Sequence, residues 1–372
     1  MLGNRYLAHQ IQVMLFLRSF ILSSLVLLVN HTDCQTFKTK LTEHAANVET
    51  VAFSFDGKSF ASGGWDGTVN LYTFDSSNNP VLKTTYTGHL GAVTSLYFSK
   101  NGKYLVSASK DYSARVWNID TPAKHKTFNL HLEPVTAAFL DPGNKYLITA
   151  SLDGTIRTTS LYNAMKSKII KLSGPIMDLQ LSKDFKFYFV AFKGGTIKKI
   201  QTAGKNLEMM TYTGHTDDIN DLQISPDGNY IASASNDKSI IVWDIQSGKV
   251  FKKLSGFEWK VTSIKFSSDG KYIVGGCNNG IAKLFEIETS KVIAEFKEMG
   301  MNVRDVAINR DGSFVLIATH MTAQNFGAII YNTGISTTPL PEPGAPKVKR
   351  AEAPAGAKNN GKTVIKKSNG TK

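Results

Sequence analysis

Cysteine is nearly missing from this 372-residue chain, which carries only Cys34 and Cys277. Only Cys277 falls inside the long central region, so no disulfide framework braces that region. Such low usage fits a reducing compartment. Cys277 follows Gly275-Gly276 in a β-patterned run and reads as a small buried residue. Metal spacings are missing too: the eight histidines form no H-x-x-x-H and the cysteines no C-x-x-C. No GxxxxGK[ST] or GxGxxG occurs, and Lys193-Gly194-Gly195-Thr196 is only a faint phosphate-loop likeness inside a turn. Between residues 36 and 334 there is no Asn-x-Ser/Thr sequon, which disfavours a secreted domain. No nucleophile, acid and base come together at a recognisable spacing. The expectation is a protein that is not an enzyme and has no metal and no cofactor.

What is present is a repeat. The stretch from Thr213 to Lys249 opens with Gly214-His215 and closes with Trp243-Asp244. Between them lie three β-patterned runs, Ile219 to Ile224, Tyr230 to Ser235 and Ser239 to Ile245. The turns Pro226-Asp227-Gly228 and Asn236-Asp237-Lys238 separate them. His215 precedes Asp237 by 22 residues, Ser233 lies four before that Asp, and Trp243 six after it. An imidazole, a hydroxyl, a carboxylate and an indole N–H can close into one buried hydrogen-bond chain that satisfies every member. Histidine and aspartate in this pattern therefore read as structural groups.

The β-branched residue that starts each unit recurs at Val48, Val93, Val135, Ile176, Ile219, Val261 and Val303, at intervals of 45, 42, 41, 43, 42 and 42 residues. This period and the His, Ser/Thr, Asp, Trp set resemble the WD-repeat family, the β-propellers that include the G-protein β subunit. The second unit is complete, with His89, Ser107, Asp111 and Trp117, as is the fifth, with His215, Ser233, Asp237 and Trp243. The first keeps His44, Ser62 and Asp66 with Tyr72 at the Trp place. The third keeps His131, Thr149 and Asp153 with Thr159 there. The fourth has Ser173 and Gly195 at the His and Asp places. The sixth has Phe257, Gly275, Asn279 and Phe285, and the seventh has Met299 and a longer loop from Thr319 to Gly327.

The resemblance implies an all-β fold, a seven-bladed propeller over residues 36–334. Its seventh unit supplies three strands, and the run from Thr36 to Thr42 completes that blade from the other end of the domain. Residues 335–372 read as a disordered, basic tail rich in Pro, Ala, Gly and Lys. From Pro341 onward it holds eight Lys and Arg against two Glu, within a formal net charge of +13. The tail is either a solubilising extension or an electrostatic contact for RNA or anionic lipid. Its lack of aromatic residues favours the first.

Residues 1–35 form an apolar leader. Val13 to Val29 is apolar apart from Arg18 and three serines; its uninterrupted core, Ser19 to Val29, is about the length of a signal-peptide core and short for a spanning helix, to which 13–29 stretches only with Arg18 snorkelling. Four readings stand: a cleaved signal peptide, a membrane anchor, a mitochondrial targeting sequence, or a non-native extension from a wrong start codon. The low cysteine usage and missing sequons lead to an intracellular, cytoplasmic expectation. Tethering to the endoplasmic reticulum membrane and secretion after cleavage are the alternatives.

With no chemistry to place, function falls to surfaces. In the family this chain resembles, the loop before each first strand and the turn residue before each Asp face one end of the propeller. Carried over by position, the candidate partner-binding residues are Trp65, Lys110, Glu133, Asp218, Trp259 and Lys260. Trp65 and Trp259 lie outside the Trp places, and exposed Trp is an interface anchor by preference. Trp259 reads equally as a cover for the divergent sixth unit. The Asp66-Gly67 turn leaves Trp65 little to pack against. The expected function is a scaffold for protein–protein contacts. The alternatives are an RNA- or ribosome-assembly factor using the tail, or a membrane-tethered adaptor.

Overall fold

The computed structural model describes residues 37–204, 208–297, 301–321 and 327–339. The leader, most of the tail, Met299 and the tip of the seventh unit's long loop lie outside them. The described residues form seven antiparallel four-stranded sheets and no helix. Each of the first six blades takes its strands in chain order; blade 1, for instance, runs Val48–Phe53, Ser59–Gly64, Val69–Phe74, Pro80–Tyr86. The first strands touch one another in a closed cycle, so they form the inner ring.

The seventh blade closes that cycle. Its strands Met301–Ile308, Phe314–Met321 and Gly327–Asn332 are completed by Phe37–Leu41 from the opposite end of the domain. Thr39, Lys40 and Leu41 pair antiparallel with Ile330, Ile329 and Ala328. A Cβ at Gly327 would overlap the Leu41 carbonyl oxygen, so only glycine fits where the two ends meet. Leu41, Val48, Phe60 and Tyr72 then share one core cluster with Leu316, Ala318 and Ile330. The seventh blade's first strand starts at Met301, two residues before Val303.

Packing explains why the pattern reads as β. In the first six blades the second strand is buried after its first residue, as in Phe60–Gly64, Leu105–Ser109 and Ile231–Ser235. Such strands have a sheet neighbour on each side and a blade against each face, so they read as apolar or small-residue runs. Outer strands alternate or stay exposed, as in Val250–Leu254.

In every first strand a register shift follows the β-branched residue that opens the repeat, for example between Val48 and Thr50, Ile219 and Asp221, and Val303 and Asp305. A bulge re-aims a side chain out of the pleat. In four blades the residue after the opening one reaches a backbone carbonyl of the next blade. Thr94 donates to the Val135 carbonyl, Thr136 to Ile176, Asn220 to Val261 and Thr262 to Val303. The third residue adds another stitch where it is Asp. Asp178 accepts the Leu222 N–H, Asp221 the Ile264 N–H, and Asp305 the Val51 N–H, each at 2.8–2.9 Å. Ser263 Oγ sits 3.0 Å from Asp221 Oδ2 and 2.5 Å from Asp305 Oδ1. One hydroxyl proton cannot serve both carboxylates, so the second contact needs a proton on one of them. Burial pushes the Asp305 carboxyl up, as it does Asp178, where the neighbouring Asp221 adds to the shift.

Packed chain also continues beyond the expected boundary at 334. Ile335 packs on the blade 6–7 core, and the Thr337 N–H donates to the Asp311 carbonyl at 2.6 Å. The extended backbone finds hydrogen-bond partners on the blade 7 turn, which composition alone does not show.

A chain beginning at residue 43 loses the closing strand and should melt well below the full propeller and without a single cooperative transition, as read by calorimetry. Asp178 poses a separate test. Its folded carboxyl holds a proton that the unfolded chain releases, so its contribution worsens as pH rises above the unfolded value of 3.8. Asp178→Asn keeps an acceptor for Leu222 without the charge. It should be at least as stable as wild type at pH 7 in urea unfolding, with any advantage vanishing below about pH 4.

Candidate interaction site

Two kinds of polar cluster occupy the blade ends that carry the loops before the first strands and the turns between second and third strands. The first is the tetrad. In blade 5, His215 Nδ1 lies 2.8 Å from Asp237 Oδ2, His215 Nε2 2.7 Å from Ser233 Oγ, and Trp243 Nε1 donates to Ser233 Oγ at 2.9 Å. The carboxylate can only accept, which assigns the proton to Nδ1 and makes Nε2 the acceptor of the Ser233 hydroxyl. Every donor is then used once. Blade 2 repeats the set with His89, Asp111, Ser107 and Trp117 at 2.8, 2.7 and 2.9 Å.

Blades 1 and 3 keep the His–Asp and His–hydroxyl contacts: His44 with Asp66 and Ser62, His131 with Asp153 and Thr149. They lack the indole. Tyr72 instead sends its hydroxyl to Glu43 at 2.9 Å, and Thr159 pairs with Ser167. Blade 6 replaces polar contacts with packing. The rings of Phe257 and Phe285 lie 5.5 Å apart, and a Cβ at Gly275 would meet Ile240 Cδ1 at 2.6 Å and Phe257 Cζ at 3.0 Å. The larger ring at the His place thus leaves room for nothing but glycine at the Ser place.

A fifth member escaped the spacing argument. Thr68, Ser113, Thr155 and Ser239, two residues after each Asp, donate to that carboxylate at 2.6–2.7 Å. The recurring Asp-x-Ser/Thr was its signal. Burial alone would raise these carboxyls, but the Thr155, Leu132 and His131 hydrogen bonds hold Asp153 down at about 2. Asp66, Asp111 and Asp237 are lowered in the same way. Burial lowers His131 and His215 below the ordinary 6.5, keeping them neutral.

The second cluster lies at the seam between blades 7 and 1. Here the residues that follow the opening Val303 and Val48 are Arg304 and Glu49. Arg304 Nη2 donates to Glu49 Oε1 at 2.7 Å. Glu49 Oε2 also accepts Trp65 Nε1 at 2.7 Å and His320 Nε2 at 2.8 Å. Burial would push Glu49 up, yet the His320, Arg304 and Trp65 contacts hold it well below the usual carboxylate range. The Trp65 ring meets His320 edge-on at 4.7 Å, and Lys110 Nζ from blade 2 sits 5.2 Å from its centroid. Trp65 still leaves 47% of its surface exposed. The expectation that the Asp66-Gly67 turn leaves Trp65 little to pack against is therefore corrected: an ionised glutamate of the same blade, itself held from across the seam by Arg304 and His320, fixes the ring. Glu49, Arg304 and His320 were missed because they meet only when blade 7 closes on blade 1. For Glu49 and Arg304 the available hint was charge at a position where the other units carry Thr, Asn or Met.

The other candidate residues spread around the same face. Lys260 and Asp218 offer backbone carbonyls to Asn278 and Asn236, and Asp218 Oδ1 also accepts the Gly194 N–H at 2.7 Å. That last bond accounts for the glycine pair of blade 4 as an inter-blade contact. Glu133 and Trp259 sit one residue earlier in their loops, where their carbonyls accept Ser151 Oγ and Cys277 Sγ. Cys277 thus stands in for the serine of other blades. Trp259 is 58% exposed with no ring partner among the described residues. The structure brings Trp65 and Lys110 together.

Comparison with known proteins returns the WD domain, G-beta repeat over residues 35–73, 80–118, 123–158, 207–244 and 248–286, together half of the chain. The chain is 36% identical over 87 residues to actin-interacting protein 1 of Drosophila melanogaster, covering 23% of this chain and 14% of that protein. It is 38% identical over 93 residues to small ribosomal subunit protein RACK1y of Oryza sativa subsp. japonica, 25% of this chain and 26% of that one. With the guanine nucleotide-binding protein subunit beta of Nicotiana tabacum the figure is 25% over 211 residues, 54% and 46%. Each match spans less than half of the relative's length.

Asp237→Ala leaves a buried imidazole N–H and the Ser239 hydroxyl without their acceptor, and should cost about 1–3 kcal/mol in denaturant unfolding. Acid should act in two windows. The buried neutral His131 and His215 lose their stability contribution as pH falls below 6.5, and the lowered Asp66, Asp111, Asp153 and Asp237 lose theirs below 3.8. A melting temperature followed from pH 7.5 to 3 checks both.

Proposed function

The chain belongs to the WD domain, G-beta repeat family, whose propellers act as scaffolds for protein–protein contacts, and from that premise we propose that it is a non-enzymatic scaffold that engages partner proteins on the face carrying Trp65. One observation carries this reading. Trp65 is half-exposed, yet its N–H is held by Glu49 of the same blade, and its ring lies against His320 of blade 7 and Lys110 of blade 2. Ordering an exposed side chain on binding costs about 0.5–1.5 kcal/mol, and a ring already fixed avoids that cost. Large, pre-organised aromatics with cationic neighbours are the usual energetic centres of interfaces. Lys110, Trp259 and Lys260 extend the surface, with Glu133 and Asp218 supplying acidic contrast. We place the protein in the cytoplasm, with membrane tethering or release through residues 13–29 as competing readings.

A second reading rests on the eight-to-two excess of basic residues after Pro341. On that reading the tail holds RNA or anionic lipid, and the resemblance to a small ribosomal subunit protein is in keeping with it. Phosphate contacts give affinities that fall steeply with salt, so RNA binding measured from 50 to 300 mM salt with and without residues 341–372 separates the two.

Affinity purification with mass spectrometry should recover partners with the wild-type chain that Trp65→Ala loses, without a change in melting temperature. For an isolated partner the substitution should weaken binding by about 2 kcal/mol or more, roughly thirtyfold. Partners retained in full by Trp65→Ala would overturn the assignment of this face.

A further inference from the structure

The face opposite Trp65 carries the hairpins between first and second strands and between third and fourth strands. There, between blades 5 and 6, lies a groove of about 460 Å³. Three aromatic residues line it: Tyr230, Phe251 and Phe266. Phe251 stands on the outermost strand of blade 5 with 45% of its surface exposed, its ring 4.6 Å from that of Tyr230. A repeated device shows what is special here. In three seams a lysine of the outer strand donates to a carbonyl of the next blade: Lys126 to Leu161, Lys168 to Thr202 and Lys252 to Glu288. The residue before that lysine is His125 in the first seam, Ser167 in the second, and Phe251 only in the third. Lys126 Nζ lies 5.6 Å from the Tyr162 ring and Lys252 Nζ 5.8 Å from the Phe251 ring, but the Lys168 stitch closes its seam with no ring against the lysine among the described residues, so the stitch does not require Phe251.

The charge of the groove runs against that of the chain. Its rim holds Asp227, Asp269, Glu286 and Glu288 against Lys252 and Lys271, in a protein with a formal net charge of +13. The Glu288 carboxylate has no hydrogen bond or ion pair among the described residues. An apolar floor with an acidic rim suits a segment that brings its own positive charge. Such a cation also gains from the exposed ring faces.

We propose that this groove binds a peptide segment of a partner protein in which an apolar side chain is flanked by lysine or arginine, the apolar group filling the space beside Phe251 and the cation meeting Glu286 and Glu288. The site is separate from the Trp65 face and gives the scaffold a second, oppositely placed contact.

A random 12-residue phage-displayed peptide library selected against the full chain tests this, with enriched peptides then measured by fluorescence polarisation. Peptides combining Lys or Arg with Leu, Ile or an aromatic should be enriched. Their binding should weaken at least tenfold in Phe251→Ala and in the Glu286→Gln/Glu288→Gln double variant, fall with salt, and stay unchanged in Trp65→Ala. The double variant removes charge at half-buried Glu286 and exposed Glu288 while the amide replacing Glu286 can still accept the Thr289 hydroxyl, so it decides the matter even if Phe251→Ala is destabilised. Enrichment of acidic or neutral peptides, binding that depends only on Trp65, or no basic apolar peptide among those selected would each overturn the proposal.

Discussion

The pairing of Thr39, Lys40 and Leu41 with Ile330, Ile329 and Ala328 joins the two ends of the domain, and the rest of the structure depends on it. A four-stranded sheet with an apolar surface on both faces cannot bury them by itself. Stacking solves this for each blade except the first and last, and only a closed ring solves it for those. The core cluster that contains Leu41, Val48 and Tyr72 from one end with Leu316 and Ile330 from the other exists only once that pairing has formed. Closure also creates the blade 7–1 seam, so the Trp65 cluster is a consequence of the same event.

The seams share one geometry and fill it differently. A bulge at the start of each first strand turns one side chain toward the next blade. Where that residue is Thr or Asn, it meets a backbone carbonyl of the next blade and makes no ion pair. At the closing seam it is Arg304, and the receiving position holds Glu49. A carboxylate can accept several donors at once, and Glu49 takes three. A position that elsewhere only joins blades here also organises Trp65 and His320 on the surface.

Polar networks and packing substitute for each other within a blade. Blades 2 and 5 hold the complete His–Ser–Asp–Trp chain, whereas blade 6 fills the same volume with Phe257 and Phe285 over Gly275. The tetrad gives its buried polar members partners, whereas the packed blade 6 leaves Asn279 Oδ1, at the Asp place, buried without a hydrogen bond. The divergent unit nevertheless keeps the strand order and register of the complete ones.

By itself the sequence determined the number of blades, the order of strands and the composition of each tetrad. These depend on spacing within about 40 residues: His215 and Asp237 meet because a local four-stranded unit must fold them together. The run from Thr36 to Thr42 was legible as a strand lacking a partner, and the missing fourth strand of the last unit named one. Tertiary structure alone decided what lies between units. Glu49 and Arg304 are 255 residues apart, and nothing local marks them as partners. The proton needed between Asp221, Ser263 and Asp305 arises because three different blades bring those groups together. The fixed pose of Trp65 and the acidic groove beside Phe251 have the same origin: each is made of residues from neighbouring blades, whose contact is set by ring closure and not by the period of the repeat.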